Sequence, residues 1–125
     1  SLANGSYTYV DNNHTPLDKE QTDELKEVNE TVRRVLSLAF EMLAQRDFTS
    51  VGETRRMVEE LKDTIQKFDR HQMKRIKAGK SKTRQSLMFI GTLNKAERIA
   101  DQAVQLLQLH RESLEEMTAE LVEKT

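Results

Sequence analysis

From Lys82 to Val122 the chain contains one glycine, Gly91, and no proline, while apolar residues recur every three or four positions. Ile90, Leu93, Ala96, Ala100, Ala103, Leu107, His110, Leu114, Met117 and Leu121 fall on one stripe, the period of a helix that buries a single face. Gly91 is the interior weak point, costing about 1 kcal/mol relative to alanine. A rod of this length needs other helices beside it. Either one helix reaches Val122, or a break near Ser113 sets off a short fourth helix.

Two shorter patterns precede it. Helix one, over about 16–46, opens on Thr15-Pro16 as cap and first helical residue. It carries Leu17, Leu25, Val28, Val32, Val35, Leu36, Ala39, Met42 and Leu43, and Asp47 after it is placed to cap the next helix. Helix two, over about 48–78, carries Phe48, Val51, Val58, Leu61, Ile65, Phe68 and Ile76, with Gln72 in the same register. Ala78-Gly79 supplies its stop, and helix three follows over about 82–122. Short links make successive helices antiparallel, so the expected fold is all-α, an up-down-up three-helix bundle over 15–125. Helix three exceeds its neighbours by about ten residues on the rise of a helix, and the surplus must overhang, fold back or meet another chain. Residues 1–14 are small, polar and turn-prone and read as a flexible arm or linker, with Tyr7 and Tyr9 marking a short extended piece.

Composition narrows the function. Hydrophobic residues make up 36% and charged residues 33%, which suits elongated helices with a wide solvated surface. A net charge of −1 predicts no whole-domain attraction to nucleic acid or membrane. The absence of cysteine excludes disulfides, thiolate metal sites and cysteine nucleophiles. No apolar run approaches the ~20 residues of a membrane span. No secretory signal pattern is present, and a start at Ser1 reads as a processed product or a piece of something longer. No Glu-x-x-His pair, phosphate loop, nucleophile elbow or Ser/His/Asp arrangement occurs, so no enzyme is expected. His110 reads as a partly buried packing residue, His14 as solvated, and Met57, Met73, Met88 and Met117 as core or gap fillers.

Charge patterning singles out two regions. Glu97 and Asp101 sit one turn apart on helix three, with no Lys or Arg three or four residues on, a like-charge arrangement that costs about 0.2–0.5 kcal/mol. Glu59 and Asp63 repeat the spacing on helix two, and both pairs lie off the core stripes. Four carboxylates on facing flanks make an oxygen-rich site for hard or borderline cations. Equally spaced acids at Glu20/Glu24, Asp23/Glu27, Glu112/Glu116 and Glu116/Glu120 show that spacing alone also describes an ordinary solvated face.

The segment Glu97-Arg98-Ile99-Ala100-Asp101-Gln102-Ala103 resembles the signature helix of PhoU-like proteins, regulators of bacterial phosphate uptake, with Ala100 where the family usually has glycine. Glu59 and Asp63 resemble the family's earlier acid motif in type and placement. The resemblance implies that Glu59, Asp63, Glu97 and Asp101 share a surface metal site, with iron or zinc as the metal. One unit, where free-standing relatives have two, resembles the tail appended to bacterial sodium/phosphate cotransporters. It implies a regulatory domain at the cytoplasmic face of the inner membrane, partnered by a transporter domain in the same polypeptide or complex. The alternative is a helical adaptor or oligomerisation domain that binds no metal; a homodimer through the long third helix is expected under both.

The second region is basic. Arg70, Lys74, Arg75, Lys77, Lys80, Lys82 and Arg84 fall in a stretch with no acid. Cations at a helix C-terminus are stabilised by its dipole at about 0.3–1 kcal/mol each. No aromatic residue interleaves them, so nucleic acid is not expected. In an up-down-up bundle this hairpin shares an end with the start of helix one, where it would face anionic lipid or a membrane partner.

Overall fold

The structure, a computed structural model, describes residues 16–124; the expected arm at 1–14 and the cap at Thr15 lie outside the described residues. Three helices follow in order: α1 (Lys19–Gln45), α2 (Val51–Lys77) and α3 (Thr83–Lys124). Each packs against the other two, giving an all-α three-helix bundle. Among the described residues no helix is long and apolar enough to cross a membrane.

The core follows the apolar stripes. Val28, Val32, Val35, Ala39 and Met42 of α1 meet Val51, Val58, Leu61, Ile65 and Phe68 of α2 and Phe89, Leu93, Ala96, Ala100, Ala103, Val104 and Leu107 of α3. Burying each Val, Leu, Ile or Phe side chain contributes about 1.5–3 kcal/mol, which fixes the rotation of all three helices. Phe89 is fully buried, one position before the expected stripe begins at Ile90, which packs only at the core edge.

The ends differ from expectation in instructive ways. α1 begins at Lys19 rather than Pro16, because Asp18 forms a reciprocal cap: its carboxylate accepts the Gln21 backbone N–H at 2.8 Å while its own N–H donates to Gln21 Oε1 at 3.1 Å. Asp47 does not cap α2. Its carboxylate accepts the Thr49 N–H at 3.1 Å inside the turn, and α2 starts at Val51, leaving Phe48 in the connection. After α2, Gly79 takes a φ of +69°, and Lys80 N–H donates to Arg75 O at 2.8 Å, the backbone closure that a left-handed residue past a helix end permits.

α3 runs unbroken through Ser113, with 42 residues against 27 in each neighbour, so no fourth helix forms. It leaves the bundle where the α1–α2 connection ends. Leu114 is half-buried there, whereas His110, Met117 and Leu121 are exposed. The helical period of the stripe is kept: His110, Leu114 and Met117 border a shallow depression with Leu43, Arg46 and Phe48, past which both neighbouring helices have ended. Ile76 and Met73, also read as core or filler positions, are exposed at the other end, because α2 is closing onto a polar network there.

Candidate functional site

Two parts of the bundle collect charged side chains. The first is the flank between α2 and α3. Lys62 Nζ lies 3.1 Å from Asp101 Oδ1 across the interface and 3.5 Å from Glu59 Oε2 on its own helix. The Asp101 hydrogen bond raises the Lys62 ammonium above its ordinary value, outweighing desolvation. Glu97 and Asp101 are half-buried and border a shallow depression with Asn94, Arg98, Gln102 and Gln105. Asp63, one residue on from Lys62, is turned about 100° further round the helix, away from α3, and is exposed.

The flank thus gathers Glu59, Glu97 and Asp101 without bringing all four acids to one point. Lys62 occupies the position between Glu59 and Asp101. Among the described residues, no three His, Asp or Glu side chains stand close enough to share a metal ion. In this arrangement the Lys62 ammonium balances Glu59 and Asp101. Further along α2 lies an acid that periodicity did not single out. Asp69 has its Oδ1 buried with no hydrogen-bond partner, and burial raises its carboxyl above the usual range. Its position directly after the core residue Phe68 was the available signal.

The second part is the end of the bundle where α1 begins and α2 turns into α3. Gln21 and Gln72 are fully buried and joined, Gln21 Nε2 donating to Gln72 Oε1 at 3.0 Å. Gln72 Nε2 donates to Ser81 Oγ at 2.8 Å and to Ser86 Oγ at 3.0 Å. Gln85 Nε2 donates to Pro16 O at 2.9 Å, tying α3 to the entry of α1.

Arg75 completes the network. Its guanidinium donates to Gln72 Oε1 at 2.9 Å, to Glu24 Oε1 at 2.8 Å and to Glu20 Oε1, and it lies 5.4 Å from the Phe89 ring centre. Desolvation opposes its charge, yet the bonds from Glu20 and Glu24 hold the guanidinium above its ordinary value. The other Glu24 oxygen, Oε2, is 2.6 Å from His71 Nδ1. Arg75 therefore leaves the outward-facing basic set. Arg70, Lys74, Lys77, Lys80, Lys82 and Arg84 remain exposed around the turn.

Residues 25–110 match the PhoU domain, a span that takes in both acid pairs of the flank and the whole basic turn. The chain belongs to the PhoU family. PhoU domains are regulatory helical domains of phosphate transport, and the three-helix bundle here is one such unit. No curated protein and no solved structure gave a match. The match to the PhoU domain stops at His110, where α3 is about to pass the α1–α2 connection, so the overhang lies beyond the matched span.

Sequence reasoning missed the polar network of this PhoU domain almost entirely. Glu20 and Glu24 read as one more surface pair, and Arg75 as one of seven surface cations. The one legible sign was Gln72, a polar residue in the register of the α2 core stripe.

Proposed function

We propose that this PhoU domain is the cytoplasmic regulatory domain of a phosphate-uptake system of the sodium/phosphate cotransport type, and that it acts through its α2–α3 flank. The family match across the bundle carries this reading. The flank supports it: its acids are accessible and only loosely engaged, so they are available to a partner without unfolding the domain. The partner is a transporter domain in the same polypeptide or complex. Removing the coding sequence for residues 16–124 from the native gene should alter how phosphate uptake responds to external phosphate. Unchanged uptake at every phosphate level would refute it.

Iron or zinc at Glu59, Asp63, Glu97 and Asp101 is a second reading, favoured by the depression that Glu97 and Asp101 border. It requires Lys62 to give way and α2 to rotate enough to bring Asp63 and Glu59 toward that depression. Metal content that rises in Lys62→Ala and vanishes in Asp101→Ala would support it, and no metal in either variant or in the wild type removes it. A homodimer through the end of α3 is favoured by Leu109, just before the overhang, and Met117 within it, which are 64% and 56% exposed. Light scattering should then give twice the monomer mass for the wild type and the monomer mass for Leu109→Glu/Met117→Glu.

A further inference from the structure

The basic end carries more than charge. Lys62–Asp101 sets the antiparallel register of α2 and α3. Counting along both helices from that pair puts Met73 level with Ile90 and Ile76 level with Leu87, on the same flank. Met73 is 51%, Ile76 40% and Leu87 69% exposed, and Ile90 is half-buried beneath them. Arg70, Lys74 and Lys77 on α2 and Lys80 and Lys82 in the turn border this apolar patch, all exposed. Between Asp69 and Glu97 the chain has no acidic residue. Of the acids at the α1 entry, Glu20 and Glu24 are engaged by Arg75 and His71, Asp23 by Lys19, and Asp18 by the Gln21 backbone N–H.

We propose that this end of the bundle is a docking surface for an anionic lipid bilayer, with Met73, Ile76 and Leu87 entering the headgroup boundary beside the Lys and Arg of α2 and the turn. The chemistry matches on both counts. Apolar side chains gain from entering the acyl boundary, and cations on long stems stay at headgroup level while their stems lie against the apolar patch. Each cation near an anionic leaflet improves partitioning roughly fivefold, an effect that fades beyond a Debye length. A nucleic acid would use the charges but not the apolar side chains, so the lipid surface is favoured.

The fold keeps this patch in one shape. The Gly79 turn is closed by Lys80 N–H on Arg75 O, and Gln72 ties Ser81 and Ser86 to α2 from within. The cations of the turn are thereby presented from a fixed frame. Binding therefore needs no folding step, so little ordering entropy opposes it.

The inference stands independently of the transporter reading, since it is tested on the isolated chain and lipid alone. Vesicles of phosphatidylcholine and of phosphatidylcholine with phosphatidylglycerol are sedimented with the 125-residue protein at low and high salt. The wild type should partition to the anionic vesicles at least tenfold better than to the neutral ones, and lose that preference in high salt. Lys74→Glu/Lys77→Glu/Lys80→Glu should reduce partitioning roughly hundredfold. Met73→Ser/Ile76→Ser/Leu87→Ser should weaken it while leaving the salt dependence in place. In Ile76→Trp, the indole emission should shift to the blue on adding anionic vesicles. Circular dichroism checks that each variant keeps its helices. No preference for anionic vesicles, equal partitioning of the charge-reversed protein, or tighter retention by duplex DNA than by vesicles at the same salt overturns the proposal.

Discussion

Glu20 and Glu24 on α1 and Glu97 and Asp101 on the α2–α3 flank are both one-turn carboxylate pairs, yet the bundle uses them in opposite ways. Glu24 has a side chain only 10% exposed and shares the Arg75 guanidinium with Glu20 while holding His71. On the flank, Asp101 is 36% and Glu59 72% exposed, and a single flexible lysine joins them. Depth decides the difference. A buried charge must be matched or it opposes folding by several kcal/mol, whereas water screens an exposed pair to about 0–1 kcal/mol. The end network is therefore structural, and the flank is free to serve another molecule.

The largest expected effect lies in the network. Arg75→Met takes the guanidinium from the buried Glu24 and leaves it only the His71 contact, which costs about 3–5 kcal/mol and lowers the thermal midpoint by on the order of 10–20 °C. A thermal melt followed by circular dichroism measures it, and a loss of only a few degrees would erase the contrast with the flank. Gln72→Leu comes next. It deprives Gln21, Arg75, Ser81 and Ser86 of a buried partner, at about 1–3 kcal/mol in urea denaturation.

Those two residues also show where legibility ended. The stripes of Val, Leu, Ile and Phe were readable because burial of apolar side chains repeats with the helix itself. Gln21 and Gln72 are 51 positions apart, and nothing local marks them as partners. Arg75 was hidden in a run of cations, although one turn places it on the core side of α2 while Lys74 and Lys77 point out. On the flank, the Glu97 segment was visible through its family likeness. That Lys62 would sit between Glu59 and Asp101 depends on the rotation of two helices, which the acid spacing does not encode. The overhang of α3 is legible as a length mismatch; that the helix continues unbroken past Ser113 is not, because serine there neither breaks nor favours a helix strongly.

Smaller effects sharpen the comparison from the flank side. Lys62→Met should change unfolding in urea by no more than about 1 kcal/mol, because its partners are partly solvated. A loss as large as that of Arg75→Met would make the flank structural. Asp69→Asn is expected to have the smallest effect, and it depends on pH. Burial raises the folded carboxyl above its value in the unfolded chain, so its contribution is present below the ordinary carboxylate value of 3.8 and is lost as pH rises through the folded value. The substitution should therefore raise the melting midpoint slightly at pH 7 and leave it unchanged at pH 3. A gain at pH 3 that disappears at pH 7 would show the sign to be reversed.

The most direct test is phosphate uptake in cells carrying Glu97→Gln/Asp101→Asn in the native gene, measured together with the thermal midpoint of the same variant domain. Altered control of uptake with the midpoint within a few degrees of wild type is predicted. Unaltered control, or control lost only because the domain unfolds, would contradict a regulatory surface built on the α2–α3 flank.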